Sequence, residues 1–193
     1  MLLSLSACIP VTPATPMVDI GDGGFLSEEP CGPPCFWGII PGQTTEAEVI
    51  KILQRRGMYA TCEVRDFEPE GGERVISCGS RLIIGFERGS EVVNGIGFSP
   101  SLTIAAEEVI TKYGEPELVE VGGLGVHVID FQLTMAYPGM LTWVRLSLQD
   151  KLPYILEPST RVRNIAYAVD FGDPCYYEDN PLWKEWHGYG EYP

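Results

Sequence analysis

Six cysteines in 193 residues are the side chains with the most chemistry to offer. Cys62 and Cys78 lie at equal distances from a Gly-rich turn at Glu70-Gly71, one on each arm of an expected hairpin. Opposed strand positions that exchange no backbone hydrogen bonds bring two sulfurs within bonding range, so this spacing predicts a disulfide. Cys31 and Cys35 frame Cys-Gly-Pro-Pro-Cys, and Cys175 lies far downstream. Either Cys31 and Cys35 pair locally and leave Cys175 free, or Cys175 reaches back to one of them. A redox role for Cys31 and Cys35 needs a thiolate of lowered pKa. Three residues separate this pair where redox dithiols use two, and a Gly/Pro stop follows where a helix start would supply the activating dipole. A structural bridge is therefore the expectation, with a thiol–disulfide protein as the alternative. The two histidines, His127 and His187, have no partner at metal-ligand spacing. No Ser-His-Asp set, phosphate loop or paired-carboxylate motif is visible. The expectation is a protein that is not an enzyme and carries no metal or cofactor.

Around these residues the chain carries 27 acidic against 13 basic side chains, a formal charge of −14. Such a field repels phosphate backbones and anionic headgroups, which argues against nucleic acid as a partner. With 45% apolar residues the chain can build a core, and 22 glycines with 16 prolines predict many turns. No apolar run approaches the ~20 residues of a membrane-spanning helix. Six cysteines in a short chain fit an oxidising compartment.

Residues 1–8 end in Leu5-Ser6-Ala7-Cys8, which resembles the lipobox of bacterial lipoproteins. The resemblance implies lipidation at Cys8, with the membrane reached through that lipid alone. Only a short apolar stretch without Lys or Arg precedes it, unlike a full secretory signal. Residues 9–30 are rich in Pro, Gly and Asp and read as a tether; Asp19-Ile-Gly-Asp22 is an acidic turn without the ligand series of a calcium loop.

The folded part is expected from residue 31. Residues 46–56 form an amphipathic helix with Val49, Ile50 and Leu53 on one face, acids first and bases last, closed by Gly57. Strand-like runs follow over 59–66, 74–78, 81–86 and 91–98. A second helix over 102–113 ends at Gly114-Glu-Pro116, and strands are expected over 117–121, 126–135, 141–148 and 162–170. Glu48-Val-Ile50 and Glu108-Val-Ile110 are offset by 60 residues. The pattern predicts an α+β fold: two tandem helix-plus-antiparallel-meander units, 31–98 and 99–172, forming one sheet with helices on one face.

Pro41-Gly-Gln-Thr-Thr45 before the first helix, and Glu107-Glu-Val-Ile-Thr-Lys-Tyr-Gly-Glu-Pro116 around the second, resemble the BamE/SmpA class of small lipoprotein domains. The doubled arrangement is similar to the β-lactamase inhibitory protein, over roughly residues 38–170. Cys31-Gly-Pro-Pro-Cys35-Phe-Trp is similar to the opening of other bacterial lipoproteins. The resemblance implies a non-catalytic, extracytoplasmic protein-binding or envelope-assembly module, lipid-anchored to the cell or outer membrane, whose partner is an envelope or secreted protein it does not identify.

Residues 173–193 form an aromatic tail, with Trp183, Trp186, Tyr189 and Tyr192 the candidates for partner contact. Trp and Tyr bury large areas while keeping a polar handle, as interfaces require. The alternative is that these rings complete the core; Trp183 inward with Tyr189 or Tyr192 outward would do both. Capture of a small hydrophobic ligand between sheet and tail is a further reading that needs a pocket.

Overall fold

Short apolar runs bounded by Gly, Pro and acidic residues recur along the chain, and strands dominate the fold. The computed structural model describes residues 19–66, 74–87, 89–123, 131–148, 153–169 and 183–192. In chain order these form α1 (Glu46–Arg55), β1 (Cys62–Asp66), β2 (Arg74–Cys78), β3 (Leu82–Phe86), β4 (Val93–Phe98), α2 (Ala106–Tyr113), β5 (Leu118–Gly123), β6 (Phe131–Tyr137), β7 (Thr142–Ser147), β8 (Tyr154–Leu156), β9 (Val162–Ala168), β10 (Trp183–Glu185) and β11 (Gly190–Tyr192).

Nine of the strands make one antiparallel sheet in the order β1-β2-β3-β4-β9-β7-β6-β5-β10, while β8 and β11 pair separately. This corrects the expected α+β fold of two helix-plus-meander units: the described residues are mostly antiparallel sheet, with two short α-helices among them of 10 and 8 residues. Strand β9 lies between β4 and β7 and pairs with both, so the hydrogen-bond ladder runs unbroken through the chain. The aromatic tail supplies the last strand of that ladder, β10, and the partner of β8. Helical periodicity in two short windows did not weigh those windows against the amount of strand around them.

The helices are shorter than their apolar patterns. Thr45 donates its amide and hydroxyl to the Glu48 carboxylate at 2.9 and 2.8 Å, which starts α1 as the acid-rich first turn predicts. These two donors hold the Glu48 carboxyl below its ordinary range. The second helix starts four residues later than expected, because Ala105 and Ala106 are drawn into pairing beside β9. Ala105 bridges Arg161, and the Ala106 amide donates to the Thr160 carbonyl at 2.8 Å. The Glu108 carboxylate accepts from the Ala105 amide at 2.7 Å and closes that end.

One face of the sheet is the floor of the core. Cross-strand partners share a face, and the register links Cys62, Cys78, Leu82, Phe98, Ile165, Val144, Met135 and Val119 in a single row across eight strands. From Cys78 to Val119 this row is buried. Val49 and Leu53 of α1, and Ala106 and Val109 of α2, belong to the same core.

The third cover is the segment before α1. Residues 19–30, expected from composition to be tether, carry buried Ile20 and Phe25 and are part of the folded body. Asp22 organises them: its carboxylate accepts from the amides of Gly24, Leu26 and Ser27 and from the Ser27 hydroxyl, at 2.7 to 3.0 Å. Burial alone would raise the Asp22 pKa, but these donors outweigh it and hold the carboxyl below its ordinary range. Gly23 is required by close approach, because a Cβ there would sit 2.6 Å from the Phe36 ring and 2.8 Å from that of Phe98. The Tyr113 hydroxyl donates to the Phe25 carbonyl, tying the segment to α2. Residues 9–18 of the expected tether, and Cys8, lie outside the described residues.

Candidate binding surfaces

The cysteines lie at two separate places. Cys62 and Cys78 face each other across β1 and β2 with Cα atoms 3.9 Å apart, and they form a disulfide. The Gly79 amide donates to the Thr61 carbonyl beside them, which makes Cys62–Cys78 a non-hydrogen-bonded pair and explains the close approach. Cys31 and Cys35 form the second disulfide. The reading in which Cys175 reaches back to Cys31 or Cys35 is thereby corrected, since both sulfurs are taken; Cys175 itself lies outside the described residues. Local pairing wins because a turn closes at that point, with the Cys35 amide donating to the Gly32 carbonyl at 3.0 Å.

The Cys31–Cys35 bridge is poorly placed for redox work. Cys35 is 4% exposed, and the Cys31 sulfur accepts from the Gly38 amide at 3.3 Å. The nearest helix in sequence begins only at Glu46, so no helix N-terminus follows the pair to stabilise a thiolate.

The tail divides. Tyr192, expected as a partner-contact candidate, is fully buried on β11 and donates its hydroxyl to the Gly188 carbonyl at 2.8 Å; this removes it from the surface. His187 stacks on its ring at 4.2 Å between centroids. Trp186 is half-buried against the core, with its indole 6.0 Å from the Tyr189 ring and 6.3 Å from that of Tyr192. Tyr189 remains exposed at the surface. Burial, and then the Glu107 carboxylate, raise its hydroxyl pKa, which places Tyr189 within electrostatic reach of α2. Trp183 is half-buried on β10 and paired with Glu120 of β5. Tyr176, Tyr177 and His127 lie outside the described residues.

A sheet face was expected to bind a partner, and the residues that form the second face of the sheet are what the sequence did not place. Its central row runs Ser77, Ile83, Gly97, Ala166, Trp143, Ala136, Leu118 and Glu185 across eight strands. A parallel row runs Val75, Gly85, Gly95 and Ala168. Near the start of β3, Ile83 is 53% exposed, and around it Gly85, Gly95, Gly97, Ala166 and Ala168 present almost no side chain. Toward the far edge Trp143 and Trp183 flank Thr134 and Ala136, which are buried. Glu120 and Arg145 stand on this face on either side of Thr134. Burial pushes the Glu120 carboxyl up, and the Arg145 charge partly offsets that shift. The sequence signal for this face was weak, because Leu82-Ile-Ile-Gly-Phe86 is apolar throughout and does not say which side of the strand is covered.

Other chemistry is sparse. Among the described residues no group of three or more His, Cys, Asp or Glu is placed to hold a metal, and no helix is long and apolar enough to cross a membrane. A cleft of about 560 Å³ beside α2 has Leu26, Glu107, Glu108, Thr111 and Lys112 among its described lining residues. Comparisons with protein-family models, with curated proteins and with solved structures find no match for this chain.

Proposed function

We propose that this chain is a non-catalytic extracytoplasmic lipoprotein that binds a protein of the cell envelope or a secreted protein through the second face of its sheet. Cys8 is the lipid attachment point in this reading, and the lipid is the contact with the cell or outer membrane. The observation that carries the binding role is Ile83. A large apolar side chain stands more than half exposed on an interior strand, with glycines and alanines around it and tryptophans beyond. Exposed apolar surface of this kind, on a rigid sheet with rings at its margin, matches how interfaces are built. The two disulfides are compatible with an oxidising compartment. The charge of −14 favours a basic partner and a salt-sensitive encounter.

Photocrosslinking at two positions tests the binding role in envelope extract. A crosslinker in place of Ile83 is expected to give a discrete adduct that weakens as salt rises. One in place of Leu102, which is 57% exposed but lies off the sheet, is expected to give none. Equal adducts from both positions, or none from Ile83, would overturn the proposal. Labelling with a fatty-acid analogue, compared between the parent chain and Cys8→Ser, tests the anchor separately.

A further inference from the structure

Strand β1 lies at one edge of the nine-stranded sheet, and among the described residues no strand pairs with its outer side. Open edges are ordinarily blunted by a bulge, by Pro or by unmatched charge. The stretch Cys62-Glu-Val-Arg-Asp66 has no Pro, and its register with β2 runs without a bulge. Because Cys62–Cys78 is a non-hydrogen-bonded pair, Glu63 and Arg65 turn their backbone groups toward β2, while Val64 and Asp66 turn theirs outward. Cys62 presents only its carbonyl there, since its amide donates to the Tyr59 carbonyl. On the covered face, Val64 ends a row that runs inward through buried Ile76, Ile84 and Ile96, yet Val64 itself is 42% exposed. On the second face, Glu63 and Arg65 form an exposed ion pair.

We propose that the outer side of β1 docks β1 of a second copy of this chain, antiparallel and centred on Val64. Charge complementarity selects that occupant, because Glu63-Val64-Arg65 read backwards sets opposite charges against itself. In this register each Glu63 stands opposite Arg65 of the other copy, with the two valines meeting between them. Parallel pairing would instead set like charges side by side, which is unfavourable. The outward backbone groups fit the same register. Val64 exchanges both of its hydrogen bonds with Val64 of the second copy, and the Asp66 amide of each copy meets the Cys62 carbonyl of the other. Glu63 and Arg65 then occupy the closer, non-hydrogen-bonded positions, where side chains interact most strongly. The contact is self-complementary and closes at two copies. It places the covered faces on one side, so the apolar row that ends at Val64 continues into the second sheet. Two chains of charge −14 repel each other, and salt screens that repulsion beyond about 8 Å at physiological ionic strength. The edge does not depend on the binding role assigned to Ile83.

Sedimentation equilibrium of the full chain at physiological ionic strength tests the contact. A reversible monomer–dimer equilibrium is expected at chain concentrations up to about 1 mM. Glu63→Arg and Arg65→Glu each set like charges opposite, and each is expected to weaken the dimer about tenfold. Glu63→Arg does so although it reduces the net charge. An equimolar mixture of the two variants restores both opposite-charge pairs and is expected to dimerise like the parent. The mixed dimer carries the same total charge as the parent dimer, so its recovery reads the local pairing and not the overall field. Hydrogen exchange gives a second measurement: the Val64 and Asp66 amides are expected to slow as the chain is concentrated. Three results would overturn the proposal. They are a chain that stays monomeric, a mixture no tighter than either variant alone, and Val64 and Asp66 amides protected equally at every concentration, which would give the edge to another segment of the same chain.

Discussion

The two faces of the nine-stranded sheet are built from the same strands and differ in what lies above them. On one face Leu82, Phe98, Ile165, Val144 and Met135 are fully buried beneath the helices and the segment around Phe25 and Phe36. On the other, the residues next to them in sequence are Ile83, Gly97, Ala166, Trp143 and Ala136. The first row fills space with large aliphatic and aromatic groups. The second keeps its centre low with glycine and alanine and leaves one isoleucine standing. Strand alternation makes the two rows; only the covering elements turn one of them into a core.

The sharpest break of this comparison is a pair of truncations on adjacent strands. Phe98 packs 4.7 Å from the Phe36 ring and 5.5 Å from that of Tyr167, so Phe98→Ala is expected to cost about 3–5 kcal/mol by urea unfolding. Ile83→Ala, on the other face, is expected to change stability by less than about 1 kcal/mol. A large loss from Ile83→Ala would mean that its face is covered. Next in size is the Cys62–Cys78 bridge at the edge of the covered face. Cys62→Ser with Cys78→Ser is expected to lower stability by about 3 kcal/mol relative to the oxidised parent.

Smaller effects distinguish a carboxylate that the fold supports from one that it penalises. Asp22 under the cover has a lowered pKa, so its stabilisation is present above the ordinary value of 3.8 and is lost as pH falls through its folded value. Asp22→Asn is expected to cost about 1–2 kcal/mol at neutral pH, a gap that closes in acid. Glu120 on the second face has a raised pKa, so the opposite sign holds. Its penalty is absent below the ordinary value of 4.5 and grows as pH rises through the folded value. Glu120→Gln is expected to raise the melting temperature slightly at neutral pH and not in acid. Equal behaviour of the two variants across pH would remove the distinction.

Much of the local structure was legible. Thr45 and Glu48 mark the start of α1, short apolar runs bounded by turn residues mark β2, β3, β4 and β7, and equal spacing about a turn marks the Cys62–Cys78 pair. Other features were hidden for physical reasons. The segment 19–30 looks like linker because its three large apolar residues, Ile20, Phe25 and Leu26, stand among Gly and acidic residues; their packing depends on partners such as Phe36, which lies farther along the chain. Strands β8, β10 and β11 are three residues each, too short to show a period, and they exist because β5 and β8 offer edges to pair with. The candidate contacts on the tail were read from residue type alone, so Tyr192, which is buried, looked equivalent to Tyr189, which is not.

By itself the sequence determined the acidic charge, the start of α1 and the spacing of one disulfide, because each depends on a few neighbouring residues. Tertiary structure alone decided the order of the strands, with β9 between β4 and β7, that Cys31 pairs with Cys35, and which face is covered. These are long-range pairings. They are set by which edges and faces remain unsatisfied once the local elements have formed, and no short window of sequence contains that information.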